Sequence, residues 1–249
     1  TRPADGAPGG PWPVVVWSHG LGGSREGAGF LARALAGAGI AALHLTHPGT
    51  DTSLWEGKPG HPWDIMRAVT IPRADTLARF ADVPFALDVL AGQGPGDLDM
   101  ARVGMSGHSF GALTTQVMMG QLFPGDDGVP ASFAEPRFAA AIAYSPNPMG
   151  HLAAPSQAVD ALYRPIRGPI AFVTGTADDS PFGDFDHRAR VAVHDAAGAG
   201  DKALLVLEGA DHMVFAGSRG QLGPNPRRAE HEAAITEHAL AFWRAQFCA

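Results

Sequence analysis

The sequence predicts an α/β fold, with a mostly parallel central sheet and helices on both of its faces. Short apolar runs that suit buried strands alternate along the chain with longer segments of helical periodicity. This alternation is typical of parallel sheets, in which each helix carries the chain across one face to the next strand. Charged residues make up 17% of the chain, below the roughly 25% of an average globular protein. An apolar composition of this kind suits a sheet that is buried on both faces.

Six short runs are the predicted strands, because each is apolar and is bounded by glycine, proline or polar residues. They span residues 14–17, 40–45, 100–105, 138–144, 170–174 and 203–207. Helical periodicity predicts helices over 25–38, 74–90, 109–119, 188–197 and 228–247. We expect the second of these helices to break at Pro84, with Asp82 capping the restart.

Three segments interrupt the alternation and are predicted to be loop insertions in one domain that covers residues 1–249. They span about 46–72, 121–137 and 145–167. The first is rich in Pro, Gly, Thr and Trp, which predicts a long ordered loop. None has the composition of a flexible linker, and the chain has no internal repeat.

Composition and charge exclude several classes of protein. The net charge is −7 and no run of Lys or Arg exceeds two residues, so we expect no nucleic-acid partner. The single cysteine, Cys248, leaves no disulfide framework and no multi-cysteine metal site. No apolar run reaches the roughly 18 residues of a transmembrane segment. No signal peptide is recognisable at the start of the given sequence, and because Thr1 and a Pro/Gly-rich segment lead straight into an apolar run, we expect a processed N-terminus. A removed signal would make the protein secreted or periplasmic, and otherwise we expect it to be cytoplasmic.

Residues 107–111 read Gly-His-Ser-Phe-Gly and match the pattern G-x-S-x-G between a predicted strand and a predicted helix. In that context the turn is so sharp that the serine hydroxyl is lifted above the sheet, and the flanking glycines allow close backbone approach. The sequence therefore predicts Ser109 to be a nucleophile. The alternative is an ordinary glycine-rich turn.

A serine nucleophile needs a base to remove its proton and an acid to orient that base. When the serine lies on a sharp strand-to-helix turn of this kind, its partners follow it along the chain in the order acid, then histidine, in loops after late strands. Asp178 follows the strand at 170–174, and His212 follows the strand at 203–207. We therefore predict Asp178 and His212 as the partners of Ser109. Three alternatives remain at this stage, namely Asp179 or Asp211 as the acid and His108 as the base.

The oxyanion of an acyl-transfer intermediate needs fixed donors, which are commonly two backbone N–H groups. Phe110, directly after the nucleophile, is one predicted donor. Leu21, in the glycine-rich segment 18–23 after the first strand, is the other. The alternative for this segment is a plain connection between strand and helix.

These residues resemble a known family. Segments 14–26, 47–51, 104–112 and 175–178 are similar to those of bacterial serine hydrolases of the α/β-hydrolase fold, in particular predicted dienelactone hydrolases and proteins resembling platelet-activating-factor acetylhydrolases. The resemblance runs from about Pro13 to the C-terminus. It implies carboxylester hydrolysis with Ser109 as nucleophile, His212 as base and Asp178 as acid. It also implies a sheet of about eight strands, of which the two not visible here would precede Pro13.

One departure bears on the substrate. True dienelactone hydrolases have a cysteine nucleophile, whereas this chain has Ser109, so we do not expect dienelactone as the substrate. Large apolar side chains fall in or beside loops at the carboxyl ends of the strands, which is where ligands bind in open α/β sheets. The predicted pocket residues are Trp17, Trp55, Trp63, Met149, Phe182 and Met213.

We expect no metal and no cofactor. Four residues form the one cluster that suggests a metal, but solvated loop histidines are the expected interpretation: His44, His47, Asp51 and His61. The acidic pairs Asp126–Asp127 and Asp184–Asp186 fit no EF-hand pattern.

The sequence therefore predicts a serine esterase that acts through an acyl-enzyme on apolar or polymeric esters, of an esterase, lipase or polyester-hydrolase type. A phospholipase A2-like acetylhydrolase is the alternative within this class. The alternative of another class is a non-catalytic ligand-binding protein, which predicts that one of the three catalytic residues is missing or displaced.

Overall fold

A computed structural model describes residues 1–3, 9–93, 96–125, 127, 129–149, 159–198, 200–217 and 224–247. Its centre is a sheet of six parallel strands in the order β2-β1-β3-β4-β5-β6. The strands are β1 (Trp12–Ser18), β2 (Ala41–His44), β3 (Leu98–His108), β4 (Phe138–Tyr144), β5 (Ile170–Ala177) and β6 (Lys202–Asp211). The order reverses beside β1, so the loops after β1 and β3 leave the sheet at neighbouring positions, where α/β folds bind ligands.

Helices cover the two faces of this sheet. They are α1 (Gly29–Gly37), α2 (Pro62–Ala68), α3 (Arg73–Gly92), α4 (Phe110–Met118), α5 (Val159–Tyr163), α6 (His187–Ala196) and α7 (Arg228–Phe247). On one face, Val83 of α3, Val117 of α4 and Val193 of α6 belong to one buried apolar cluster. On the other face, Leu35 of α1 and Trp243 of α7 belong to a second cluster. The predicted α/β class is therefore confirmed.

The sheet is not covered equally along its width. Leu204 and Val206 of the edge strand β6 are 36% and 38% exposed, so this strand is only partly covered. The expectation of full burial on both faces is therefore wrong at this edge. The described residues contain six strands, and the two further strands expected before Pro13 are not among them.

Two of the predicted elements differ from the structure. The predicted loop 46–72 contains helix α2 and a 3-10 turn at Thr52–Leu54. Helix α2 begins with Pro62 in its first turn and buries Trp63 and Met66, but it is too short to show a periodic pattern. The predicted break at Pro84 is also wrong, since α3 runs through it without interruption. The carboxylate of Asp82 caps no helix and accepts a hydrogen bond from His47 Nδ1 at 2.8 Å.

The first helix begins at Gly29 rather than at residue 25, after Ala28 adopts a left-handed conformation with φ of 53°.

The other insertions are partly described. Within 145–167 the structure has the short helix α5, and residues 150–158 lie outside the described residues. Asp126 and Cys248 also lie outside them. Among the helices that the structure does describe, none combines the length and the apolar character needed to cross a membrane.

Candidate active site

Ser109 lies at the turn between β3 and α4 in a conformation that L-residues rarely adopt. Its φ is 58° and its ψ is −112°, and its N–H donates to Tyr144 O at 3.0 Å. The turn is tight enough to require glycine, because a Cβ on Gly111 would lie 1.9 Å from the carbonyl oxygen of Ser18. Strain of this kind, held in place by the surrounding backbone, is concentrated at functional sites. The local structure thus has the sharp turn expected of residues 107–111.

The structure brings the side chains of Ser109, His212 and Asp178 into one line. Ser109 Oγ lies 3.0 Å from His212 Nε2, and His212 Nδ1 lies 2.7 Å from Asp178 Oδ1. Asp178 follows β5 and His212 follows β6, so two neighbouring parallel strands deliver them to the same edge. Both side chains are almost fully buried. The Nδ1–H of His212 can donate to Asp178 while Nε2 is free to accept the Ser109 proton.

Asp178 has two further partners that fix its carboxylate. The hydroxyl of Thr174 donates to Oδ2 at 2.8 Å, and Arg190 Nε lies 3.1 Å from Oδ1. Arg190 also donates to the backbone oxygens of Asp178, Ser145 and Pro146 at 2.7, 3.1 and 3.0 Å. It is only 1% exposed. A buried carboxylate with this many donors keeps one orientation.

Arg190 also affects the electrostatics of the histidine. Burial lowers the pKa of His212 below its ordinary value, the positive charge of Arg190 lowers it further, and the hydrogen bond to Asp178 raises it. Arg190 Nη2 lies 3.1 Å from His212 Nδ1, but this nitrogen already donates its proton to Asp178, so the contact is close packing of a cation. The imidazole is therefore neutral at neutral pH, which is the state that a general base requires.

Arg190 is not among the site residues predicted from the sequence. One signal could have indicated it: Arg190 and Val193 are three residues apart on one face of the predicted helix 188–197, and Val193 faces the core. A cation on the buried face of a helix needs a buried acceptor, and the loop after β5 supplies one.

The alternative acids and base have other contacts. The side chain of Asp179 is 65% exposed, and its carboxylate accepts from the His187 N–H at 3.0 Å. Asp211 accepts from the Met213 N–H at 2.8 Å and from Asn225 at 2.7 Å, so it stabilises the turn that carries His212. His108 Nε2 donates to the backbone oxygen of His212 at 2.8 Å. None of the three contacts Ser109 Oγ in the described residues.

The segment after β1 passes beside the nucleophile. A Cβ on Gly20 would lie 3.3 Å from the Cβ of Ser109, which places this backbone against the elbow. The N–H of Gly22 donates to Thr50 O at 2.9 Å and that of Gly23 to Gly20 O at 3.0 Å. Leu21 lies between these fixed points, and Phe110 is the first residue of α4. Leu21 also lines the same cavity as Ser109, and the role of the Leu21 and Phe110 N–H groups as donors stays a prediction.

A cavity of about 390 Å³ opens above Ser109 and His212. Five of the six predicted pocket residues line it: Trp17, Trp55, Trp63, Phe182 and Met213. The rings of Trp63 and Phe182 meet edge to face at 6.3 Å, and Trp55 donates to Gly22 O at 2.7 Å. Met149 was assigned to the pocket wrongly, since it is fully buried in the core beside Tyr163, whose hydroxyl accepts from its N–H.

The suggested metal cluster has a different structure from the one expected. His47 is a fully buried side chain that bonds Ser18 and Asp82, rather than a solvated loop histidine. His44 stacks on Trp17 at 5.9 Å. Among the described residues, no three His, Cys, Asp or Glu side chains converge as ligands of a metal ion. Asp186, from one of the acidic pairs named above, caps helix α6 by accepting a hydrogen bond from the Arg188 N–H.

Three solved structures indicate what this chain is similar to. The dienelactone hydrolase from Anabaena variabilis ATCC 29413 has a TM-score of 0.61 at 17% sequence identity, covering 98% of this chain and 89% of that one. The ferulic acid esterase from Streptomyces cinnamoneus has a TM-score of 0.65 at 21% identity, covering 99% and 69%. Thermogutta terrifontis esterase 2, phosphorylated by paraoxon, has a TM-score of 0.61 at 18% identity, covering 96% and 85%.

No protein-family model and no curated protein sequence matches the chain. The structural likeness extends over almost its whole length, and the parallel six-stranded sheet agrees with it. The chain therefore has the α/β-hydrolase fold, as its motifs predicted.

Proposed function

We propose that this protein is a serine hydrolase that cleaves carboxylic esters through an acyl-enzyme. The observation that carries the proposal is the line from Ser109 Oγ through His212 to Asp178 Oδ1, with distances of 3.0 and 2.7 Å at the floor of a cavity. A serine hydroxyl becomes nucleophilic when a neutral imidazole within hydrogen-bond reach takes its proton. The similar folds of the ferulic acid esterase from Streptomyces cinnamoneus and of Thermogutta terrifontis esterase 2 add support.

The reaction proceeds in two halves. His212 Nε2 takes the proton of Ser109 while Oγ attacks the ester carbonyl carbon, and the N–H groups of Leu21 and Phe110 hold the resulting oxyanion. The bond to the alcohol oxygen then breaks, and His212 returns its proton to that oxygen. In the second half His212 deprotonates a water molecule, whose oxygen attacks the acyl carbon. The bond from that carbon to Ser109 Oγ then breaks, His212 returns its proton to Oγ, and the acid leaves.

The substrate we propose is an ester whose acyl or alcohol group is apolar, including a polymeric one. Support comes from the cavity wall, which is formed by tryptophan, phenylalanine and methionine side chains. Burial of a matching apolar group in such a cavity contributes about 25 cal/mol per Å². Trp63 and Phe182 stand together at one side of the cavity, where they would contact a chain bound at Ser109.

The test is hydrolysis of p-nitrophenyl acetate, butyrate and octanoate by the wild-type protein and by Ser109→Ala. We expect turnover by the wild type, a preference for the longer acyl groups, and loss of at least about a thousandfold in Ser109→Ala. The same panel includes a phospholipid with an acetyl group at its second position and an aliphatic polyester film, which separate the acetylhydrolase alternative from the polyester one. Absence of turnover by the wild type on every ester, with correct folding, would favour the non-catalytic alternative.

A further inference from the structure

Arg79 is a buried cation beside the candidate active site that takes no part in the Ser109 line. It lies in α3 and is 1% exposed. Every nitrogen of its guanidinium donates a hydrogen bond. Nε donates to Thr114 Oγ1 at 2.9 Å, Nη1 to Thr50 Oγ1 at 2.8 Å, and Nη2 to both Ser18 Oγ at 2.9 Å and the carbonyl oxygen of His19. A planar group that is held at all three of its nitrogens has a single orientation.

Two of these bonds hold the backbone on both sides of Leu21. Arg79 binds the His19 carbonyl directly, two residues before Leu21. On the other side it binds the hydroxyl of Thr50, whose backbone oxygen accepts from the Gly22 N–H at 2.9 Å. The position of the Leu21 peptide is therefore determined by Arg79 from both directions.

A third hydrogen bond connects Arg79, through Thr114, to Phe110, the residue that follows Ser109. The hydroxyl of Thr114 accepts from Arg79 Nε and donates to the carbonyl oxygen of Phe110 at 3.1 Å. The guanidinium also lies over the ring of Phe110, 4.6 Å from its centroid, in a cation–π contact. A single rigid group thus contacts the segment that carries Leu21 and the residue that carries the other N–H.

The charge of Arg79 is balanced through a chain of hydrogen bonds. Arg79 donates to Ser18 Oγ, Ser18 donates to His47 Nε2 at 2.9 Å, and His47 Nδ1 donates to Asp82 at 2.8 Å. Ser18, His47 and Asp82 form a second Ser–His–Asp line, but Ser18 is fully buried and cannot meet a substrate. Burial lowers the pKa of Arg79 to about 9 and that of His47 to about 4, so at neutral pH the guanidinium is charged and the imidazole is neutral.

We propose that Arg79 is a positioning residue that fixes the spacing between the Leu21 and Phe110 N–H groups, and thereby holds the oxyanion hole. The inference rests on the proposed function, in which these two N–H groups stabilise the tetrahedral intermediate. Donors of this kind act only when they are held close to the position that the oxyanion takes, so the group that sets their spacing controls the rate of acyl transfer.

The experiment compares wild type, Arg79→Lys, Thr50→Val and Thr114→Val in p-nitrophenyl ester hydrolysis and in inhibition by an alkyl trifluoromethyl ketone. The ketone forms a tetrahedral adduct with a serine, so its Ki reports the oxyanion hole. Lysine keeps the charge of Arg79 but cannot reach all four acceptors. Each threonine variant removes one hydroxyl that accepts a hydrogen bond from Arg79 and retains Arg79 itself. The threonine variants therefore keep the test valid if Arg79→Lys does not fold.

In Arg79→Lys we expect kcat to fall by about 30- to 100-fold, with Ki rising by a similar factor and KM within about threefold, since loss of a whole oxyanion donor costs roughly 10²–10³ in kcat. Each threonine variant lowers kcat and raises Ki together by a smaller factor. The matched control is Arg102→Met, which removes an arginine that has three acceptors of its own, none of them among the residues of the candidate site: Asp99, Phe247 O and Pro11 O. It lowers the melting temperature and leaves kcat and Ki within about twofold of the wild type, in keeping with a surface arginine.

Unchanged kcat and Ki in the folded variants would overturn the inference, as would a rise in KM with an unchanged Ki. The proposed function fails separately, if Ser109→Ala in the same assay keeps its ester turnover or the wild type has none. In that case the role of Arg79 falls with it.

Discussion

Arg190 and His212 share one oxygen of Asp178. Oδ1 accepts the Nδ1–H of His212 at 2.7 Å and lies 3.1 Å from Arg190 Nε. The carboxylate that orients the histidine is therefore already paired with a buried cation. The positive charge of Arg190 offsets part of the negative charge that would otherwise stabilise a protonated His212, and it lowers the pKa of this histidine. The consequence is a histidine that resists protonation.

We therefore expect Arg190 to set the acid limit of activity. His212 acts as a base only when neutral, so a lowered pKa extends activity toward acidic pH, and removal of the cation moves the limit upward. In Arg190→Gln the acidic limb of kcat/KM shifts to higher pH by about one unit, whereas Arg190→Lys shifts it less, because charges within about 4–6 Å change a pKa by one to three units.

The pH profile distinguishes this role from a structural one. The charged groups that face His212 are Asp178 from the loop after β5, Arg190 from α6, Asp211 beside it and, when protonated, His108 at the end of β3. A purely structural role would lower kcat/KM at all pH values by one factor. An acidic limb at the same pH in wild type, Arg190→Lys and Arg190→Gln would contradict the electrostatic role.

The adjacent aspartates Asp178 and Asp179 offer a matched pair of substitutions. In Asp178→Asn we expect kcat to fall by about 10³- to 10⁴-fold, because the amide favours the wrong tautomer of His212. In Asp179→Asn we expect activity within about threefold of the wild type, since an exposed carboxylate that accepts one backbone N–H contributes little to the chemistry. Steady-state kinetics with p-nitrophenyl butyrate compare the two. Equal losses in both variants would reopen the assignment of the acid.

Two buried histidines predict a loss of stability in acid. Burial and the charge of Arg79 lower the pKa of His19 to about 3 and that of His47 to about 4. The unfolded chain binds protons at these histidines near pH 6.5 and the folded chain does not, so stability falls as the pH drops from about 6.5 toward 4. Each histidine contributes a slope of about 1.4 kcal/mol per pH unit across that window.

Urea unfolding at a series of pH values measures this slope. We expect His47→Gln to reduce the slope of the unfolding free energy against pH by the contribution of about one proton, whatever its effect on stability at neutral pH. The control is His61→Gln, at an exposed position. An unfolding free energy that stays constant in the wild type between pH 6.5 and 4.5 would be inconsistent with buried neutral histidines.

Trp63 is expected to determine the preference for long acyl chains. It lines the cavity and packs against Phe182. In Trp63→Ala we expect kcat/KM for p-nitrophenyl octanoate to fall by about tenfold, which corresponds to about 1.4 kcal/mol of lost apolar contact, with the value for acetate changing by less than about threefold. Phe85→Ala is the control, because Phe85 is 67% exposed and does not line the cavity. Equal losses on acetate and octanoate would indicate a general effect on folding instead.

The sequence indicated the parts of the site that depend on local geometry. Residues 107–111 need glycine on both sides of Ser109 for a tight turn, and Asp178 and His212 each follow a strand with a clear apolar pattern. Such patterns are local, so they are readable without a structure. The same holds for the parallel sheet, whose strands were all identified to within a few residues at their ends.

The parts that were missed depend on contacts between distant segments. Arg79 and Arg190 find acceptors that are up to 61 and 45 residues away along the chain, respectively, and only tertiary packing brings these together. Met149 has an apolar side chain of the kind that lines pockets, but this side chain packs in the core. Helix α2 forms because Trp63 and Met66 bury one side of a short segment, which no periodic pattern could indicate.

The most direct test of the account is the site of covalent reaction with a fluorophosphonate. We expect the intact mass to increase by one adduct per chain, peptide mapping to locate it on Ser109, and Ser109→Ala to show neither adduct nor ester turnover. Ser18 is an internal control, because it also bonds a histidine but is fully buried. An adduct on Ser18 or another residue, or ester turnover retained in Ser109→Ala, would contradict the assignment of Ser109 as the nucleophile.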